Sequence, residues 1–173
     1  PREGSGSAHG GFIAGDDGYS GFDGLGNQNG TTTAEALFYD LIETNNSQGF
    51  DLTADAKGKS SYDEALDLLL NQDEYDINMI LAPGVITAEH PGVASKIIDT
   101  CEDRGDAFTI LDPVVYGKNV ADATGEVETR DSNYAAMYWP WVKIPDSQVA
   151  GTLRWVPPSV VLGGIYAFND KVA

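Results

Sequence analysis

The chain has 173 residues and carries 27 acidic against 10 basic side chains, a formal net charge of -17. That length is about one domain, and a hydrophobic content of 42% is enough for a packed core. The acidic balance speaks against nucleic acid or an anionic membrane as a direct partner, because phosphate binding draws on Lys and Arg. No run is long and apolar enough to span a bilayer, and no secretory leader is expected. The lone Cys101 cannot form an internal disulfide; its helical spacing predicts a buried, inert thiol in an intracellularly folded chain. Copies packed side by side must offset mutual repulsion through specific contacts or counterions.

Residues 1–30 are glycine-rich and predict a loop or insertion, with one short strand at Phe12-Ile13. Asp16, Asp17, Asp23 and Asn27 place oxygen ligands on that loop, but the spacing and terminal Glu of an EF-hand are absent, so a solvated turn is preferred to a calcium site. Thr32-Thr-Ala-Glu35 reads as a capping box, and Leu37, Phe38, Leu41 and Ile42 follow at helical spacing. Residues 44–60 are polar and turn-rich. Ser61-Tyr-Asp-Glu64 reads as a second capping box, with Ala65, Leu66, Leu69 and Leu70 on one face. The acidic residues from Asp63 to Asp76 read as the wet side of that helix and its exit loop. Asn29-Gly-Thr31 and Asn45-Asn-Ser47 match the glycosylation sequon by chance.

Ile77 to Leu81 predicts a strand closed by Pro83-Gly84. Pro91 opens a helix whose inward residues are Val93, Ala94, Ile97, Ile98 and Cys101, and Gly105 stops it. Phe108 to Leu111 predicts the next strand, closed by Asp112-Pro113. Strand, helix, strand at this spacing is a βαβ unit with parallel pairing. Residues 117–132 predict a loop with one helical turn. Tyr134 to Trp139 is an aromatic strand ended by Pro140; Trp141, Val142 and Ile144 resume it, and Pro145-Asp146 turns it. Trp155-Val156 is extended before proline, and Pro157-Pro158 opens a final helix. Gly163 and Gly164 inside that helix each cost about 1 kcal/mol relative to Ala. They predict a tightly packed core helix, with close contact to a neighbouring subunit as the alternative. The class is α/β: a mixed sheet with a βαβ unit flanked by helices, plus the N-terminal glycine-rich insertion.

Catalytic constellations are not visible. His9 and His90 have no Cys or Ser at a known catalytic spacing, and His90 sits at a predicted helix start. There is no nucleophile elbow, Walker loop or dinucleotide fingerprint. Ser159 after two prolines reads as a capping residue. The Ala82-Pro83-Gly84 turn ends a strand where α/β enzymes hold their sites, but position alone assigns no chemistry. No enzyme activity, metal or cofactor is expected.

The blocks Tyr134-Ala-Ala-Met-Tyr-Trp-Pro-Trp-Val142, Val156-Pro-Pro-Ser159 and Gly164-Ile-Tyr-Ala-Phe-Asn-Asp170 stand in an order that resembles the tail sheath proteins of contractile bacteriophages and related injection systems. Ile77 to Val85, ending in Ala-Pro-Gly, and Arg104-Gly105 with Ala107 to Pro113 resemble that family's preceding strands; Gly15-Asp-Asp-Gly18 resembles one of its turns. Val160 and Asn169 depart from its usual Gly and Arg. The resemblance marks Tyr134, Tyr138, Trp139, Pro140, Trp141, Pro157, Pro158, Ser159, Gly164, Tyr166 and Asp170 as packing or assembly positions. It implies a virion protein, assembled in the host cytoplasm, that polymerises around a tail tube and contracts to drive the tube through the host envelope. Its implied partners are further copies, the tube protein, and baseplate and terminator proteins. It implies neither nucleic acid binding nor membrane insertion. Residues 61–173 would be the sheath core without its C-terminal arm, and residues 1–60 a variable, outward-facing insertion. Because the family links subunits through such arms, the 173-residue chain is expected to be monomeric. The rival expectations are a calcium-binding or adhesive virion surface domain and a small α/β hydrolase.

Overall fold

The computed structural model describes residues 42–145, 151 and 153–172. The predicted strand at Phe12-Ile13, the acidic loop from Asp16 to Asn27, His9 and most of the helix predicted from Thr32 lie outside them. The chain divides into two compact units, Pro1–Ala65 and Leu66–Ala173.

In the first unit, Glu43 bridges to Asn46 and Ser47 to Phe50. The second bridge closes through Gln48 and Gly49, both at positive φ (57° and 94°). Helix α1 (Lys57–Leu69) starts a turn earlier than the sequence predicts. Ser61 lies inside it and donates its hydroxyl to the Lys57 carbonyl at 3.0 Å, so it is not a cap. Back-bonding of this kind makes a serine acceptable within a helix. Gly58 is required by proximity: a Cβ there would lie 2.4 Å from the Asp51 carbonyl oxygen. Phe50 and Tyr62 meet edge to face, centroids 6.4 Å apart. Along α1, Leu66 is buried and Leu69 half-buried as the spacing predicts, but Ala65 is exposed, and Tyr62, not among the predicted inward residues, is half-buried. Most of the acidic stretch is exposed as expected, with Asp67 joined to Lys96 at 2.5 Å.

The second unit is the α/β body. Strands β1 (Met79–Ile86), β2 (Phe108–Asp112) and β3 (Ala135–Met137) form a parallel sheet in that order. The predicted βαβ unit is present, with α2 (Pro91–Arg104) as its crossover. Strand β1 runs on through Pro83-Gly84 where the sequence predicts its end. Leu81 pairs with Ile110 but Ile86 pairs with Asp112, so residues 82–85 bulge. The bulge accommodates a proline that has no N–H to give and a Gly84 at φ 99°. Helix α2 buries Val93, Ala94, Ile97, Ile98 and Cys101 as its spacing predicts. It stops at Gly105, left-handed at φ 71°, whose N–H donates to Cys101 at 2.9 Å. Those side chains meet Val85, Ile86, Ile110 and Leu111, all buried, each worth about 1.5–3 kcal/mol by removal from water.

Helix α3 (Val120–Val127) has eight residues, not one turn. Asn119 and Asp122 close a reciprocal capping box at its start, 3.1 Å in both directions. Strands β4 (Val142–Pro145) and β5 (Leu153–Val156) pair antiparallel as a separate two-stranded sheet. The predicted α/β class is present, its parallel strands and its antiparallel pair standing as two sheets. Helix α4 (Ser159–Val172) packs with α2 on β1 and β2.

Candidate assembly surface

The end of β2 organises the C-terminal blocks. Asp112 is 1% exposed and reaches across the fold to the first residue of α4. Its Oδ1 accepts the Ser159 N–H at 3.0 Å and its Oδ2 accepts the Ser159 hydroxyl at 2.5 Å. A carboxylate at a helix N-terminus satisfies an otherwise orphan donor and complements the helix dipole. Burial pushes the Asp112 carboxyl up to about 6, against the two Ser159 hydrogen bonds that pull it down. The Asp112 carbonyl in turn accepts from Thr87, from its N–H at 2.9 Å and its hydroxyl at 2.8 Å. Ser159 is thus capped rather than capping. Its hydroxyl is committed to a carboxylate and 1% exposed, which denies it the approach a nucleophile needs.

Trp141, after the cis Trp139–Pro140 bond, donates its indole N–H to the Val114 carbonyl at 2.9 Å. Its ring meets Tyr116 edge to face at 6.0 Å, and Tyr116 lies 5.0 Å from Trp155. Lys143 stands 4.8 Å over Trp155. A two-stranded hairpin is marginal by itself, and these rings are what hold β4 and β5. Tyr138 and Tyr166 join hydroxyl to hydroxyl and ring edge to ring face, centroids 6.5 Å apart; that hydrogen bond pushes the Tyr166 phenol up from its usual range. Tyr134 lends its carbonyl to the Thr109 N–H at 2.9 Å. Pro157 and Pro158 are buried, while Pro140 and Asp170 are exposed. Of the marked positions, the structure therefore brings Tyr138 to Tyr166, and Ser159 to the unmarked Asp112; Pro140 and Asp170 face outward.

The core-helix reading of α4 is overturned. Among its described side chains only Ser159 is buried. Gly163 has a packing reason, since a Cβ there would sit 2.6 Å from a Leu81 methyl; Gly164 faces open space. The opposite side of the helix exposes Ile165 (54%), Phe168 (65%) and Val172 (62%). Its apolar character was legible, but which neighbours would cover it was not. Between α3 and the end of β3 runs an open groove of about 440 Å³, lined by Val120, Ala123 and Val127 on one wall and Met137, Tyr138 and Trp139 on the other. It lies at the carboxyl ends of β2 and β3, where parallel sheets hold ligands, but its walls are apolar.

His90, at the N-cap position of α2, is buried and accepts the Ile86 N–H on Nδ1 at 3.0 Å, a structural role. Burial pushes the Cys101 thiol up to about 11, which keeps it protonated. No helix among the described residues is long and apolar enough to cross a membrane. Among the same residues there is no group of three or more His, Cys, Asp or Glu placed to hold a metal ion. No protein-family model matches this chain, and no curated protein matches it in sequence.

Proposed function

We propose that this chain is a structural subunit, or a large part of one, of a contractile tail sheath. Many copies surround an inner tube and pass from an extended to a contracted packing, driving the tube through a cell envelope. The observation that carries the reading is the ordered set of blocks at residues 134–142, 156–159 and 164–170. Two features of the fold support it. The first and last blocks meet within one copy, Tyr138 hydrogen-bonding Tyr166, and the middle block is fixed at Ser159 by Asp112 of β2. The last block presents Phe168 and Val172 to solvent, as a subunit built for contact with other subunits would.

The experiment is negative-stain electron microscopy of the full-length gene product expressed with no other tail protein. Long striated tubes of uniform width are the expected result. Monodisperse small particles at high concentration would sink the reading.

A further inference from the structure

The outer side of α4 is an apolar stripe on an acidic chain. Val160, Gly164, Phe168 and Val172 follow every four residues, with Ile165 beside them, and all are exposed. At 100° per residue they share one side of the helix, opposite the Tyr166 that bonds Tyr138. An exposed helix side is ordinarily charged; here its one charge is Lys171. Gly164 lowers helix stability without an intramolecular reason, since a Cβ there meets nothing within 4 Å. It leaves room for another backbone. The groove beside α3 is the counterpart: apolar walls with one charged lining residue, Glu128. Because Tyr166 on the inner side of α4 is the residue that meets the groove wall at Tyr138, the outer side faces away from the groove of its own copy.

We propose that the outer face of α4 seats in the α3 groove of a second copy, with Phe168 entering between Val127 and Trp139 and Lys171 meeting Glu128. Two copies of a -17 chain repel overall; this pair is apolar, with Lys171 at the edge of the face and Glu128 at the edge of the groove. One copy carries both halves, so the contact is heterologous and propagates. The inference deepens the sheath reading and rests on it for the repeating assembly. It also replaces the expectation of a monomer, which considered strand exchange through terminal arms alone.

The test is sedimentation of the 173-residue chain over a range of concentration and salt, beside Phe168→Glu and Val127→Glu, each checked for native circular dichroism. The wild type is expected to grow in mass with concentration, and more so at high salt. Each variant is expected to weaken association about tenfold or more, the loss typical of a central contact residue. An equimolar mixture of the two, which retains one intact α4 face and one intact groove, is expected to form a heterodimer and nothing larger. Should either variant unfold, Lys171→Glu weakens association and Lys171→Glu with Glu128→Lys restores it. A wild type that stays monomeric throughout, a Phe168→Glu chain that associates as the wild type does, or a mixture that fails to pair would each overturn the contact. Full-length product carrying Phe168→Glu that still forms wild-type tubes would also overturn it and leave the sheath reading standing. Absence of tubes from wild-type full-length product strikes the sheath reading instead.

Discussion

Two buried charged side chains do more for this fold than their number suggests. Asp112 is held with its carboxyl near 6, above the usual Asp value near 3.9. A folded-state value raised in this way means that the native state binds the proton more tightly than the unfolded chain. The stability it contributes is full below about 4 and is lost as pH rises through about 6. A rise of that size is on the order of 3 kcal/mol. Asp112→Asn removes the titration and keeps an oxygen for the Ser159 N–H. Urea unfolding of both proteins from pH 4 to 7 is expected to show the wild type losing stability relative to the variant by that order; parallel curves would refute it. Arg104 is the second. Its side chain is fully buried, paired to Asp106 through Nε at 2.9 Å and a terminal nitrogen at 3.0 Å, and it donates to the carbonyls of Leu69 and of Tyr75, the latter at 2.9 Å. It ties the end of α1 and its exit loop to α2. Arg104→Ala leaves the Leu69 and Tyr75 carbonyls without that donor, while Asp106, 46% exposed, still reaches water; the expected cost is about 1–3 kcal/mol, read as a lower urea midpoint, and an unchanged midpoint would show the network to be dispensable.

Helix α4 carries two adjacent glycines whose surroundings differ. Replacing a helical Gly by Ala gains about 0.5–1 kcal/mol where space allows, by restricting the unfolded chain. Gly164 has that space and Gly163 meets a Leu81 methyl. Gly164→Ala is therefore expected to raise the melting temperature of the dilute protein by a few degrees, and Gly163→Ala to give none of that gain. Equal gains would mean that Leu81 yields freely. Among the helices and strands, the sequence was legible wherever local chemistry decided. Pro91 and Gly105 bracket α2, and the inward face of that helix follows its spacing. It misled where a local signal had a nonlocal competitor. Ser61 looks like a cap but α1 already runs through it, and Pro83-Gly84 looks like a stop but a bulge carries β1 past it.

Across the protein as a whole, net charge outweighs any single ion pair. At -17 the folded chain repels itself, and salt shortens the reach of that repulsion from about 30 Å at 0.01 M to about 3 Å at 1 M. The melting temperature is expected to rise by several degrees over that range of sodium chloride at pH 7. A fall would show that attractive pairs such as Lys96–Asp67 outweigh the repulsion.

Local pattern alone was enough for the α/β class, the parallel βαβ unit, the buried face of α2 and the burial of Cys101. All of these follow from periodicity within single elements and from the punctuation between them. It also placed the aromatic and Pro-Pro blocks in order. The folded chain was needed to show that Asp112 and Ser159, 47 residues apart, form one buried pair, that Tyr138 finds Tyr166, and that the glycine-bearing helix is exposed on one side. Periodicity says which side chains prefer to leave water. Which surface receives them depends on contacts between segments distant in sequence, and no local pattern encodes those contacts.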